Sequence, residues 1–326
     1  MIVTRRTAVS LLAGASATLA APNVWGQNRA SNVVICLGAD PSFAPFIVAM
    51  KKGMLEKHGI HGELKSFDDG NVALDALLTG AGDLGCTVES AGIARRVRGG
   101  QIFVTGLANY SANFHGLAGL KSINKAEDMI GKTIGVGRGT SAHLFFTVYA
   151  RHFGIDLSKF NFRFLAAPES VAALARGDVD VICIGEPWLS RGIAANPNTH
   201  IILMMGELGI YRLTDYFYYN KRLMDDRPLG QALMQALLEA HDWTTKNLEE
   251  ATRLGAEAYK LDYAMASNIT KMFTFAGYFS PEIKSNMIRA AEFMKSINLI
   301  TELPNWEEYL RPEVMQAAAP ERVTAM

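Results

Sequence analysis

A block of sequence that occurs twice sets the tightest limit on what this chain can become. ALDALLTGAGDLGC (73–86) and SVAALARGDVDVICI (170–184) each read as helix, small or basic residues, glycine, acidic residue and then an apolar strand. Each copy closes a longer series. In the first half NVVICLG, FAPFIVAMKKGMLEKHG, HGELKSF, NVALDALLTG, DLGCTV, a helix from Ser90 and IFVTGLA follow in order. In the second half come KTIGV, a helix from Ser141, FRFLA, PESVAALARG, DVDVICIG, a short helix after Pro187 and HIILMM. Strand and helix alternating at this pitch predict βαβ units and a parallel sheet, and a repeated unit predicts two of them. With 326 residues the chain also exceeds the size at which one core keeps growing. Beyond Leu229 the pattern turns helical: one run to about Lys260, then runs over 264–276 and 282–297.

Open parallel sheets bind ligands at the carboxyl ends of their strands. Four loops fall there: ADPSFAPF, TVESAG, GRGTSAH and GEPW. The third is the most informative. Gly137 and Gly139 tolerate positive φ, Thr140 or Ser141 suits an N-cap, and Leu144, Phe145, Val148 and Phe153 then recur at helical spacing. A helix start of this kind offers free amides and a positive dipole end to an anion, although most capped helices bind nothing. Nucleotide motifs do not account for it. GKT at 131–133 precedes the strand, with Ala126 where a P-loop glycine would stand, and GVGRG gives G-x-G-x-G. Asp156 follows the helix instead of ending the next strand.

Lysine plus arginine equals aspartate plus glutamate at 32 each, so no broad field draws nucleic acid. Residues 1–27, with Arg5 and Arg6 before an alanine-rich apolar stretch, read as an export signal of the Tat or Sec kind. Cys36, Cys86 and Cys183 lie in or beside apolar runs and read as buried small hydrophobes, and no zinc spacing is present. The seven histidines form no HExxH or Ser-His-Asp pattern, and His115 and His143 are the two near the candidate loops.

PSFAPFIVAMKKGMLEKHGI, ALLTGAGDLGC, DMIGKTIGVGRGTSAHLFF and ALARGDVDVICIGEPW stand in the same order as in a known family. At these residues the chain resembles the periplasmic substrate-binding proteins of ABC importers for nitrate, bicarbonate, sulfonates and taurine, with their thiamin-pyrimidine relatives. The resemblance implies a two-lobed α/β fold of type II, each lobe a mostly parallel sheet flanked by helices with the ligand cleft between. It places lobe 1 at 28–112 plus 215–326 and lobe 2 at 113–214. It further implies a periplasmic monomer that works with an ABC permease, binds a small organic anion by hinge closure, and needs neither cofactor nor metal. A pyrimidine-precursor binding protein, a pyrimidine synthase of the same fold, or the sensing partner of a membrane receptor are the competing readings.

Carried over by residue, Gly139, Thr140, Ser141 and Ala142 match the loop that holds the ligand's acidic group, with Arg138 either clamping it or solvated. Ser42, Phe43 and Ser90 lie on the opposing loops, where Ser90 either bonds ligand or caps its helix. Glu186 hints at a ligand with a donor group, and Trp188 either stacks on ligand or fills core. Tyr216 and Tyr218 alternate with Phe217 in strand fashion, so one face meets the ligand while the other packs, and Tyr216 is the residue expected to meet it. The aromatics Phe43, Phe46, Phe114, Trp188 and Tyr216 favour an organic ligand over bare nitrate or bicarbonate.

Overall fold

The computed structural model describes residues 31–67 and 70–324, so the candidate export signal lies outside the described residues. Among the described residues eleven strands build two sheets. The chain begins with β1 (Ser31–Gly38), β2 (Ile60–Phe67), β3 (Leu84–Val88) and β4 (Ile102–Ser111). It continues through β5 (His115–Leu120), β6 (Thr133–Val136), β7 (Asn161–Phe164), β8 (Val181–Gly185) and β9 (Thr199–Met204). It then returns through β10 (Leu213–Asn220) and β11 (Phe273–Tyr278). The first sheet runs β11-β4-β10-β3-β1-β2 and the second β7-β6-β8-β5-β9.

Strands β1, β2 and β3 are parallel neighbours, as are β7, β6 and β8. Their sequences show why. VVICLG and VICIG are buried almost throughout, because helices cover both faces of a parallel sheet. β2 lies at an edge, where only Ile60 is buried and the other residues are half-buried or exposed. The two strands that follow the crossings, β5 and β10, run antiparallel to both of their neighbours. The chain thus passes from one sheet to the other between Ser111 and His115 and comes back between Met204 and Leu213.

Two elements differ from the sequence reading. Where a helix was expected over 264–276, the helix Tyr263–Thr270 stops and β11 follows. Phe273 and Phe275 alternate with Thr274 and Ala276 at period two, which is a strand signal. β5, HGLAGL, gave no strand signal because glycine has no side chain to pattern. Gly116 is nonetheless required, since a Cβ there would meet Leu189 Cδ2 at 2.6 Å and Met204 Sδ at 2.8 Å.

β10 is buried along its whole length between β3 and β4. Its tyrosines stay in the core because their hydroxyls find partners: Tyr218 donates to Val88 O at 3.1 Å and Tyr219 to Gly230 O at 3.0 Å. The C-terminal segment wraps back onto the first sheet, with Leu310 bridging to Val104 and Val323 to Phe279.

Candidate functional site

The helix Ser141–His152 starts where β6 ends, at the edge of the space between the sheets. Thr140 is its N-cap; its Oγ1 accepts from His143 N at 3.3 Å and donates to Gly137 O at 2.8 Å. Gly139 has φ +73°, and a Cβ there would come within 2.1 Å of Leu299 Cδ1, so only glycine lets the loop turn this closely. Its amide is spent on His143 Nδ1 at 3.1 Å. The amides of Ser141 and Ala142 find no acceptor among the described residues and are the ones left for a ligand. Ser141 is buried, with Oγ 2.8 Å from His115 Nε2. Burial holds the His115 imidazole down at about 3, and burial followed by the charge of Arg138 holds His143 at about 4, so both rings are neutral. Arg138 itself points outward, donating to Ile297 O at 3.1 Å and lying 5.7 Å over the Phe164 ring.

Across the gap stands the loop after β1. Asp40 caps the turn Pro41–Phe43 by accepting from Ser42 N at 2.8 Å, which buries Ser42 and Phe43. Asn109 Nδ2 fixes the turn from β4 by donating to Ser42 O at 3.0 Å. Beneath it a chamber of about 220 Å³ is walled by Asp40, Ser42, Phe43 and Thr87 on one side and Ser141 on the other, with Asp215 from β10. Asp215 is only 4% exposed, and no donor among the described residues reaches its carboxylate. Burial, and then the charges of Asp40 and Glu89, hold it well above the ordinary carboxylate range. Burial likewise raises Asp40, offset by the Ser42 hydrogen bonds.

A second cavity of about 510 Å³ opens outward from Asp40 and Phe114 past Ala142 and Thr140 to Glu186 and Trp188. A third, about 630 Å³, continues from Pro187 and Arg191 to Met265, Ile269 and Lys271. Glu186 is occupied locally: it accepts from Ser190 Oγ at 2.8 Å and Ser190 N at 3.2 Å, supplying the cap that Pro187 cannot. Trp188 is half-buried and carries the Arg191 guanidinium 4.6 Å over its ring. Arg191 has no ion pair among the described residues.

The structure therefore gathers Ser42, Phe43, Thr140, Ser141, Ala142, Glu186 and Trp188 around connected cavities. Four candidates lie elsewhere, among them Gly139, which lines none of these cavities and whose amide is bonded to His143 Nδ1. Arg138 faces away, as described. Ser90 sits at the second position of the helix Glu89–Val97, whose N-cap is Val88, and lines none of these cavities. Tyr216 is fully buried on the far face of β10, its hydroxyl accepting from Thr214 Oγ1 at 2.9 Å. Since strand side chains alternate, the residue turned to the chamber is Asp215. Asp215, Arg191 and Asp40 are residues of the site that sequence reasoning missed. The available signals were the lone acid in the apolar run TDYFYYN and the one-turn spacing from Trp188 to Arg191.

Two sheets flanked by helices, with connected cavities between them at the strand ends, define the two-lobed fold of periplasmic ligand-binding proteins. The NMT1/THI5-like family profile matches residues 40–251, and the chain belongs to that family. A curated relative, the taurine-binding periplasmic protein of Escherichia coli, is 30% identical over 165 residues, 49% of this chain and 50% of that protein. The match thus spans about half the relative's length. Among solved structures, the periplasmic aliphatic sulphonate binding protein SsuA of Escherichia coli superposes with a TM-score of 0.74 at 16% identity, over 86% of this chain and 92% of that one. The desulfurization enzyme DSZB superposes with a TM-score of 0.66 at 16% identity, over 89% of this chain and 99% of that one. Binding proteins and an enzyme thus share this fold.

Proposed function

We propose that this chain is an extracytoplasmic solute-binding protein whose cargo is a small organic acid, sulfonate or carboxylate, that also carries a cationic or N–H-donating nitrogen. It acts in the periplasm, as a monomer, by closing lobe 2 (113–214) over lobe 1 (28–112 plus 215–326). The closed form is the one an ABC permease of the inner membrane selects.

One observation carries this reading. A single chamber of about 220 Å³ sets Ser141, at a helix start whose first amides find no acceptor among the described residues, against Asp215, a buried carboxyl that no donor among the described residues reaches. Amides and hydroxyl suit the acid group; the carboxylate suits the nitrogen. The taurine-binding relative supports it, since taurine is an aminosulfonate. Binding is favoured over chemistry because burial keeps the thiols protonated: Cys36 is pushed up to about 11, and Cys86 and Cys183 are raised as well. The Cys183 thiol, which lines the outer cavity, donates to Ala142 O at 3.2 Å.

Calorimetry against taurine, ω-amino carboxylates, amine-free alkanesulfonates, aminopyrimidines, nitrate and bicarbonate tests the proposal. Amino acids of either acid type should bind at least about tenfold more tightly than their amine-free counterparts, a difference of roughly 1.4 kcal/mol. Equal affinity for the amine-free series would remove Asp215 from the site.

A further inference from the structure

The geometry points to His115 as a positioning residue: carrying its proton on Nε2, it donates to Ser141 Oγ and so turns the Ser141 hydroxyl proton into the chamber. This rests on the reading of the Ser141 loop as the cradle of the ligand's acid group.

His115 opens β5, directly after the crossing from the first sheet, and is 6% exposed. Its Nε2 lies 2.8 Å from Ser141 Oγ. Its Nδ1 is buried with no partner among the described residues, and an ideal Cβ on Gly185 would stand 2.8 Å away, so the β8 backbone closes that side. The ring edge meets Phe114 at 5.2 Å between centroids, which offers Nδ1 no acceptor. Burial keeps the ring neutral, so one proton is shared between two nitrogens.

The two tautomers have opposite consequences. With the proton on Nδ1, an N–H would be sealed away without an acceptor, and Ser141 would donate to Nε2 and present lone pairs to the chamber. With the proton on Nε2, the orphan at Nδ1 is a bare lone pair and the N–H has its acceptor. The second arrangement satisfies the donor, and buried donors are the groups least often left unpaired. It is also the tautomer that free neutral histidine favours.

Ser141 Oγ then accepts from the ring and has no other acceptor among the described residues for its own proton. The cleft receives three donors from one turn of helix: the N–H and O–H of Ser141, which lines the chamber, and the N–H of Ala142, which lines the adjoining outer cavity. An acid group, which is acceptor-only when ionised, matches that set and a lone pair in the third place would repel it. His115 thereby sets the sign of the site without touching the ligand.

Two measurements test this. In ¹⁵N-detected NMR of the unliganded protein, with His115 assigned by the signal lost in His115→Gln, its Nε2 should be protonated and Nδ1 bare. The reverse pattern overturns the inference. By calorimetry with taurine as the probe, His115→Gln, whose amide keeps a donor toward Ser141, should stay within about threefold of wild type. His115→Met should lose roughly tenfold, as should Ser141→Ala, and the double variant should lose no more than Ser141→Ala alone. Additive losses, or a lower Tm with unchanged affinity, would mean that the ring only fills space. If wild type binds none of the acids in the panel, the binding reading fails and the tautomer result still decides the role of His115.

Discussion

The two faces of the cleft are built from the same βαβ unit yet carry opposite hydrogen-bonding character. On the second-sheet face the groups offered are donors: the amides of Ser141 and Ala142, the Ser141 hydroxyl and, at the mouth, the Arg191 guanidinium. On the first-sheet face they are acceptors, with Asp40 and Asp215 beside Ser42 and Thr87. The loop in the equivalent place after β1 spends its free amide on Asp40 itself, since Ser42 N is bonded to the Asp40 carboxylate. An internal aspartate thus fills on one side the role that a ligand's acid would fill on the other. Duplication supplies two helix starts, and a single acidic residue decides which of them remains open to an anion.

The comparison breaks most completely if the donor face is given a charge of its own. Ser141→Asp would set a carboxylate on the free amides, and binding of any organic acid should fall by at least several hundredfold, on the order of 4 kcal/mol. The melting temperature should stay near wild type, because an acid in the first helical turn is well placed against the dipole. Calorimetry with a thermal melt checks both.

The acceptor face extends behind Asp215 to Glu89, which accepts from Tyr211 Oη at 3.4 Å and has Thr214 Oγ1 at the same distance, beside the return crossing. Burial pushes Glu89 up from 4.5 to about 7. A carboxyl raised in the fold favours the folded state while protonated, so its contribution is fully present below pH 4.5 and is lost as pH rises through 7. The corresponding change is roughly 3 kcal/mol over that window. Glu89→Gln should remove this slope and raise stability at pH 8, as read by urea melts across pH. His115 and His143, held neutral by burial, act oppositely below about pH 6.5, where the unfolded chain takes up protons first.

Asp215→Asn sharpens the contrast between ligands. Replacing the carboxylate should cost an amino acid or aminosulfonate roughly thirtyfold while leaving an amine-free sulfonate unchanged or improved. Because Asp215 is held toward its protonated form, a cationic nitrogen must displace that proton, so wild-type affinity should rise with pH and the asparagine variant should lose that dependence. Titrations in buffers of different ionisation enthalpy would show the released proton.

Much of this was legible before any coordinates. Apolar runs such as VVICLG and VICIG between glycine-rich turns could only be parallel, doubly covered strands, and their carboxyl ends placed the loops. What escaped was decided by contacts distant in sequence. β5 hides its pattern in two glycines, Gly116 crowded by Leu189 and Met204 and Gly119 by Asp180 O, Ile202 and Val181. The alternation of TDYFYYN was visible, but its orientation depends on packing against β3 and β4, and so the choice fell on Tyr216 where Asp215 faces the chamber. Arg138 was the arginine nearest the anion loop, yet its partner Ile297 arrives 159 residues later.

Arg191 gives the finest test of where the acid group sits. It stands at the mouth, exposed and stacked on Trp188, where solvent screens it. If the deep donors hold the acid, Arg191 acts mainly by attracting anions and by keeping Trp188 in place. Arg191→Gln should then weaken binding only about three- to fivefold, below roughly 1 kcal/mol, with most of the effect in the association rate and most of it gone in high salt. A loss larger than that of Ser141→Asp, insensitive to salt and residing in dissociation, would move the acid to the mouth. The deep chamber would then hold the nitrogen alone, and the donor face would have to be redrawn around the Trp188–Ala195 helix.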